Sequence, residues 1–141
     1  TFLYLIQTQE SLCRLLHHKV KLGLKIRKAY EEKNRQELQT IAEKLLPEII
    51  DETKEFYRRY RFQWRCENKS YGFEVQTIRL GGLTCRLKEV QEEIRQCLKK
   101  EILYLEEVET KARTFAYREK YDMRTLVYNR WDHIVTPSVM E

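Results

Sequence analysis

The chain has 141 residues, of which 35% are charged and only four are glycine and two proline. This composition favours a single domain of long solvated helices and excludes a turn-rich β sandwich. The 27 basic and 22 acidic residues leave a net charge of +5, which is too small a surplus to indicate a nucleic-acid partner by itself.

The cysteines and the first residues indicate where the protein resides. The four cysteines are Cys13, Cys66, Cys85 and Cys97. None falls in the close pairs that are typical of zinc ribbons or small disulfide-stapled folds, so we expect reduced thiols in a cytoplasmic protein. The opening residues 1–6 are too short for a secretory hydrophobic region or a membrane span. Because the chain begins at Thr1 instead of methionine, we expect it to be a piece of a longer polypeptide, although a processed N-terminus would produce the same observation.

The first predicted helix spans residues 3–30. Its apolar residues recur at spacings of three, four and seven, which places them on one helical face. They are Leu5, Leu12, Leu15, Leu16, Leu22, Ile26 and Tyr30. Gly23 lies within this helix at a cost of about 1 kcal/mol relative to alanine, so we expect a close helix crossing there. The polar residues 31–35 predict a turn, with Asn34 as the N-cap of the next helix and Glu37 reaching back to it.

The second predicted helix carries an apolar stripe in steps of three and four with one gap of seven. Its members are Leu38, Ile41, Leu45, Ile49, Phe56, Tyr60 and Trp64. Pro47 interrupts the helix because proline lacks an N–H and crowds the preceding turn. The stripe keeps its phase from Leu45 to Ile49, which favours a kink at Pro47 over a break.

The third predicted helix follows a turn at residues 67–73 and continues to residue 108. Its apolar stripe consists of Val75, Ile78, Leu83, Leu87, Val90, Ile94, Cys97, Leu98, Ile102, Leu105 and Val108. Gly81 and Gly82 near its start would let another backbone approach closely or let the helix bend. Beyond residue 112 the periodicity fades, and we expect an irregular tail over residues 114–141.

Short connections between long helices force neighbouring helices to run antiparallel. The predicted fold is therefore all-α, an antiparallel bundle of about three long helices, one kinked at Pro47, with an irregular C-terminal tail across it. We expect residues 1–141 to form one domain.

Residues 64–75 form a segment, here named the elbow, that is dense in aromatic, charged and glycine residues. The candidate binding residues in and near the elbow are Trp64, Glu67, Asn68, Lys69, Tyr71, Phe73 and Arg79. Aromatic rings stack on sugar C–H faces while carboxylate and amide groups bond hydroxyls, so a carbohydrate site is one interpretation. In the other, Trp64 and Phe73 close the end of the bundle while Glu67 and Asn68 cap helix termini. Contact with another domain or subunit is compatible with both.

A basic stretch precedes the elbow. Its arginines are Arg58, Arg59, Arg61 and Arg65, and Tyr57, Tyr60 and Phe62 lie between them. Such a face suits a phosphate backbone or an acidic protein surface. However, Asp51, Glu52 and Glu55 lie one or two turns back, so helical ion pairs such as Glu55 with Arg59 are the simpler interpretation.

Metal and catalytic sites are not indicated. Glu10, Cys13 and His17 share a helical face, but no second ligand cluster is visible and Cys13 fits a small buried thiol. His17 and His18 are about 100° apart on the helix and cannot both face one ion. Acidic pairs such as Glu92 and Glu93 or Glu106 and Glu107 lie on helical faces, whereas glycoside hydrolysis needs two carboxyls flanking a cleft. We expect no catalytic residue, metal or cofactor in this chain.

The order of several segments resembles a known family. These segments are Leu45-Leu46-Pro47, the elbow from Trp64 to Val75, Arg79-Leu80-Gly81-Gly82 and the leucine-bearing helix after them. Together they resemble the helical C-terminal domain of a subgroup of family 20 glycoside hydrolases, the bacterial-type β-N-acetylhexosaminidases. A proline usually stands in that family where this chain has Ser70, which implies a looser local turn.

The resemblance implies a parent enzyme that removes terminal N-acetylglucosamine or N-acetylgalactosamine from β-linked glycans. An Asp-Glu pair on a (β/α)8 barrel performs that reaction with the substrate's own acetamido group as nucleophile, and this chain has no counterpart of the pair. The implied role is accessory: supporting the barrel of the same polypeptide, contributing to a homodimer, and lending Trp64 or Glu67 to the rim of the substrate site. The alternative is an autonomous helical module that binds an acidic protein or RNA through its arginine face.

Overall fold

The computed structural model of the chain describes residues 2–69 and 71–110, and every regular element in these residues is a helix. The chain divides into two units, Thr1–Ile102 and Leu103–Glu141. The elements of the first unit are α1 (Leu3–Lys19), α2 (Leu22–Glu31), α3 (Arg35–Thr40), a π-helical turn (Ile41–Leu45), α4 (Leu46–Glu67) and α5 (Phe73–Lys99). The second unit contributes α6 (Glu106–Glu109). The predicted tail at 114–141 lies outside the described residues.

The helix predicted over residues 3–30 is two helices, which corrects the expectation of one. The chain departs from helical dihedral angles at Lys21 (φ −98°, ψ 6°), and Gly23 falls in the first turn of α2. The physical reason is tertiary packing, since α1 contacts α4 whereas α2 contacts α3. A glycine already weakens helical continuity here, so the two halves can turn toward different neighbours.

The connection between α2 and α3 satisfies the backbone at both helix ends. Lys33 adopts a positive φ of 54°. Its N–H donates to the Tyr30 carbonyl at 2.9 Å, and the Asn34 N–H donates to the Ala29 carbonyl at 2.8 Å, which is the Schellman pattern of a helix C-terminus. Asn34 Oδ1 then accepts from the Glu37 N–H at 3.0 Å, so the predicted N-cap is confirmed.

Loss of this cap should be measurable. Asn34→Ala is expected to lower the free energy of unfolding by about 1 kcal/mol, because the Glu37 N–H loses its acceptor. Urea unfolding of the chain measures the change. The matched control is Asn34→Asp, which keeps a side-chain oxygen at the cap, and equal destabilisation by both variants would contradict the assignment.

The helical run from residue 35 to residue 67 is unbroken, and Pro47 lies in the first turn of α4. The predicted deformation at Pro47 takes the form of the π-helical turn at Ile41–Leu45, where the Leu46 N–H bonds the Ile41 carbonyl five residues back. A proline ring would crowd the carbonyl four residues earlier in a regular α-helix, and a wider turn relieves that contact. The apolar stripe therefore continues through the proline.

Helix α4 lies between α1 and α5 and runs antiparallel to both, as the pairing of side chains shows. Along α1 the pairs are Tyr4 with Glu67, Thr8 with Arg59 and His18 with Glu52. Along α5, Thr77 near its start pairs with Tyr57 of α4, while Gln91 and Arg95 near its end pair with Ala42 and Glu43 of the preceding π-helical turn. The early residues of the run from the π-helical turn through α4 thus meet late residues of α1 and α5, and its late residues meet early ones, so the predicted antiparallel bundle of three long helices is confirmed.

The core of the first unit follows the predicted stripes in part, since Leu16, Val75 and Ile78 of those stripes are exposed. Its buried apolar residues are Leu15, Leu22, Ile26, Ala29, Leu38, Ile41, Ala42, Leu46, Ile49, Ile50, Phe56, Phe73, Leu87 and Ile94. Thr53 is the one polar side chain of α4 in this core among the described residues, and its hydroxyl donates to the Ile49 carbonyl at 2.7 Å. That bond removes the cost of burying the hydroxyl.

Helix α5 ends at Lys99, so the expectation that it continues to residue 108 is wrong. Lys100 has a positive φ of 63°. Its N–H bonds the Cys97 carbonyl and the Glu101 N–H bonds the Gln96 carbonyl, the same Schellman termination as at α2. Gly81 and Gly82 face open space, so the expected close backbone approach does not occur within residues 2–69 and 71–110. None of the described helices is long and apolar enough to cross a membrane.

Candidate functional site

The backbone of the elbow is fixed at both of its helix ends. Asn68 ends α4 in an extended conformation, and its N–H donates to the Trp64 carbonyl at 2.7 Å. Gly72 precedes α5 with φ +96°, and its N–H donates to Glu74 Oε2 at 2.6 Å. A Cβ at Gly72 would lie 3.4 Å from the Trp64 ring. Both the dihedral angle and the ring therefore favour glycine at this position.

An aromatic cluster packs beneath the elbow with Phe73 at its centre. The Phe73 ring lies 5.7 Å from Tyr57, 5.4 Å from Tyr60 and 5.7 Å from Trp64, measured between centroids. Tyr60 also stacks on Phe56 at 5.6 Å. Tilted and edge-on rings at these separations attract one another. The cluster thus fastens the start of α5 to the last three turns of α4.

Trp64 is chiefly a structural residue. Its ring is half-buried against Phe73 and Tyr60, and its indole N–H donates to the Lys69 carbonyl at 2.9 Å. The group that could bond a ligand is therefore already engaged in holding the turn. This arrangement supports the interpretation in which Trp64 and Phe73 close the end of the bundle.

The other candidate residues of the elbow are exposed. Tyr71 is 72% exposed, and Asn68 and Lys69 also face solvent. Glu67 accepts from the Tyr4 hydroxyl at 3.3 Å and from Gln63 Nε2 at 3.2 Å. The structure therefore places four polar or aromatic side chains at one end of the bundle.

Arg79 is exposed on α5, seven residues beyond Gly72. At the rise of an α-helix this is about 10 Å along the axis. Its position is therefore beside the elbow and not within it.

The arginine face borders an open groove of about 430 Å³ between α1 and α4. The lining residues are Tyr4, Gln7, Tyr57, Arg58, Arg59, Arg61, Phe62 and Arg65. The sequence did not indicate Tyr4 and Gln7 because their contribution depends on how α1 packs against α4. Phe62 is 59% exposed, and Arg61 and Arg65 face solvent without an ion pair among the described residues.

The predicted pairing of Glu55 with Arg59 is confirmed and includes Arg58. Glu55 Oε1 accepts from Arg59 Nε at 2.7 Å and from Arg58 Nη2 at 2.7 Å, while Oε2 accepts from Arg58 Nε at 2.9 Å. These bonds from Arg58 and Arg59 lower the pKa of the Glu55 carboxyl from 4.5 to about 2. Two of the four arginines are therefore held by an acid of their own helix.

The lowered pKa of Glu55 predicts a pH dependence. Because the folded-state pKa is the lower one, the pairing stabilises fully above pH 4.5 and is lost as the pH falls toward 2. Glu55→Gln is expected to lower the free energy of unfolding at pH 7 by less than about 1 kcal/mol, since the carboxylate is partly solvated. Urea unfolding at several pH values should show the difference from wild type closing below pH 4.5. Glu31→Gln, at an exposed position, is the control, and a difference that persisted at the lowest pH would contradict the pairing.

The trio Glu10, Cys13 and His17 does not assemble. Glu10 forms an ion pair with Arg14 at 2.5 Å, and His17 is exposed. Cys13 is exposed as well, which corrects the expectation of a small buried thiol. A different group, His18 with Glu48 and Glu52, does converge between α1 and α4.

Comparison with known protein families gives a match over most of the chain. The family described as Glycoside Hydrolase 20C C-terminal domain matches residues 1–128. No protein of curated function matches the chain. The matched range contains all the described helices, the elbow and the arginine face.

Proposed function

The chain belongs to the glycoside hydrolase 20C C-terminal domain family, and from this membership we propose that it is the non-catalytic accessory domain of a β-N-acetylhexosaminidase. The family match over residues 1–128 is the observation on which the proposal depends. In this role a catalytic (β/α)8 barrel of the same polypeptide carries the reaction. The helical domain supports that barrel, contributes to a homodimer and borders the substrate site. We propose a cytoplasmic location, as the cysteine spacing indicates.

The placement of the acidic side chains supports chemistry outside this domain. Glycoside hydrolysis uses two carboxyl groups on opposite sides of the scissile bond. Many acidic residues here are instead engaged in ion pairs on helix surfaces, namely Glu10 with Arg14, Glu43 with Arg95, Asp51 with Lys54 and Glu55 with Arg58. Such pairs are typical of solvated helices and not of a hydrolytic cleft.

Helix α5 offers a surface on which a barrel can pack. Val75 and Ile78 lie three residues apart on α5 and are both exposed, Ile78 at 73%. Tyr71 is exposed in the turn just before the helix. Gly82 continues the stripe and has open space above it. An exposed apolar stripe of this kind marks contact sites on proteins. Because the exposed stripe begins at the elbow, a barrel packed on α5 would also lie next to the elbow.

The assay that tests the activity uses the p-nitrophenyl β-glycosides of N-acetylglucosamine and N-acetylgalactosamine. The complete polypeptide is expected to release p-nitrophenol, and the 141-residue chain alone is expected to release none. Release by the isolated chain would show that the chemistry is in this domain. Failure of the complete polypeptide on both substrates would refute the hexosaminidase assignment.

The proposed contact with the substrate rim has its own test. Tyr71→Ala in the complete polypeptide is expected to raise KM about fivefold with kcat little changed, the loss of roughly 1 kcal/mol from one stacking contact. Tyr71 is the sharper probe because Trp64 also holds the fold. Lys88→Ala, exposed farther along α5, is the control. An unchanged KM in the Tyr71 variant would remove the elbow from the substrate site.

A second candidate function rests on the groove between α1 and α4. Arg61, Arg65 and the exposed Phe62 present charge and apolar surface together, which suits an acidic protein partner. In that case binding should weaken at high salt and in the Arg61→Ala, Arg65→Ala double variant. Salt-sensitive binding of RNA, lost in the same variant, would identify RNA as the partner instead.

A further inference from the structure

Three side chains with metal-binding atoms converge between α1 and α4. Glu48 and Glu52 are four residues apart and lie on one face of α4, and His18 approaches from α1. One ligand atom from each of the three lies within 4.8 Å of the others. His18 Nδ1 is 2.9 Å from one carboxylate oxygen of Glu52 and 3.0 Å from the other.

These separations are close to those that a single ion requires. Zinc binds imidazole nitrogen and carboxylate oxygen at about 2.0–2.2 Å, so two ligand atoms on a tetrahedral ion lie roughly 3.3 Å apart. Small side-chain rotations would bring all three groups to that spacing. Open zinc sites use three protein ligands, among which imidazole and carboxylate both occur, and leave a fourth position for water.

The charge balance around the three residues favours a cation. The Glu52 side chain is only 10% exposed, and a buried carboxylate is costly without compensation. Its partner is His18, whereas neighbouring Asp51 and Glu55 are paired with lysine or arginine. Glu48 has no ion pair among the described residues.

There is also room for an ion and its water beside these carboxylates. Ser11, Arg14, Glu48, Asp51, Glu52 and Glu55 line an open cavity of about 390 Å³. The arginine of this set is held by Glu10 at 2.5 Å. The cavity is therefore bordered by two carboxylates that no lysine or arginine of the described residues neutralises.

We propose that His18, Glu48 and Glu52 bind a divalent first-row transition cation, for which Zn²⁺ is the probe. The imidazole selects such ions over Mg²⁺ and Ca²⁺, which prefer oxygen ligands alone. The ion replaces the proton on His18 Nδ1 and thereby joins α1 to α4. The site does not depend on the proposed glycosidase function, and its role is to stabilise the helix pair.

Co²⁺ and Zn²⁺ titrations of the polypeptide, freed of metal by a chelator, test the proposal. Wild type is expected to develop the visible absorption of bound Co²⁺, and Zn²⁺ is expected to displace it and raise Tm. Replacing a residue that only orients a metal ligand costs about 10–100-fold in metal affinity. Because His18 and Glu48 are proposed to bind the ion directly, His18→Ala and Glu48→Gln should each lower the affinity at least about 100-fold.

Two features make the outcome decisive. Glu48 is exposed, so Glu48→Gln should keep its Tm without metal even if His18→Ala loosens the helix pair. His17→Ala, one residue from the site, is the control and should bind as wild type does. The proposal is overturned if wild type binds neither ion, or if Glu48→Gln and His18→Ala bind as tightly as His17→Ala.

Discussion

Replacing Phe73 with alanine is expected to lower the free energy of unfolding by about 3–5 kcal/mol, the usual cost of removing a buried aromatic ring. The Phe73 side chain is buried, and its ring contacts Tyr57, Tyr60 and Trp64 at centroid distances of 5.4–5.7 Å. The substitution therefore removes three ring contacts in addition to buried area. Urea unfolding of the chain measures the loss.

Tyr71→Ala provides the comparison, because it removes an aromatic ring two residues away that is 72% exposed. It should change the free energy of unfolding by no more than about 0.5 kcal/mol. If both variants were equally stable, the aromatic cluster would not be what fastens α5 to α4. The pair of variants also separates the structural part of the elbow from the part that is free to meet a ligand.

The second large effect is expected in the middle of α4. Ile49 is completely buried, and Ile49→Ala should destabilise the chain by about 2–5 kcal/mol through lost burial and the cavity that remains. Ile78→Ala makes the same chemical change at a position that is 73% exposed and should cost little. Equal costs in urea unfolding would mean that α4 is not the centre of the core.

Much of the fold could be predicted because burial imposes a period on the sequence. Leu38, Ile41, Ile49 and Phe56 were placed on one stripe by spacing alone, and all four are buried. The cap at Asn34 was equally predictable, since the hydrogen bond it makes is local. Features that depend on neighbours within one or two helical turns leave a signal in the sequence.

Helix ends were harder to predict. Both Schellman terminations place a lysine, Lys33 or Lys100, at the left-handed position where glycine is the usual indicator. The stripe also continued through Val75 and Ile78, which the structure leaves exposed. A period shows which face of a helix is apolar but not whether this chain covers that face.

The same limit applies to the sites. The elbow could be located because its residues are contiguous. The hydrogen bond from the Trp64 indole N–H to the Lys69 carbonyl could not be predicted from the sequence. The convergence of His18 with Glu48 and Glu52 requires the register between two helices, which spacing along one helix does not contain. The four-residue interval between the two glutamates was the only signal available.

The π-helical turn at Ile41–Leu45 limits which changes in length this protein tolerates. Each residue of an α-helix advances the side chains by about 100°, so deleting one residue here would rotate everything before it relative to everything after it. Leu38 would then leave the core while Ile49 stayed within it. The stretch before Pro47 should therefore resist deletions of a single amino acid, and such a deletion would also return the proline ring to the crowded carbonyl of a regular α-helix.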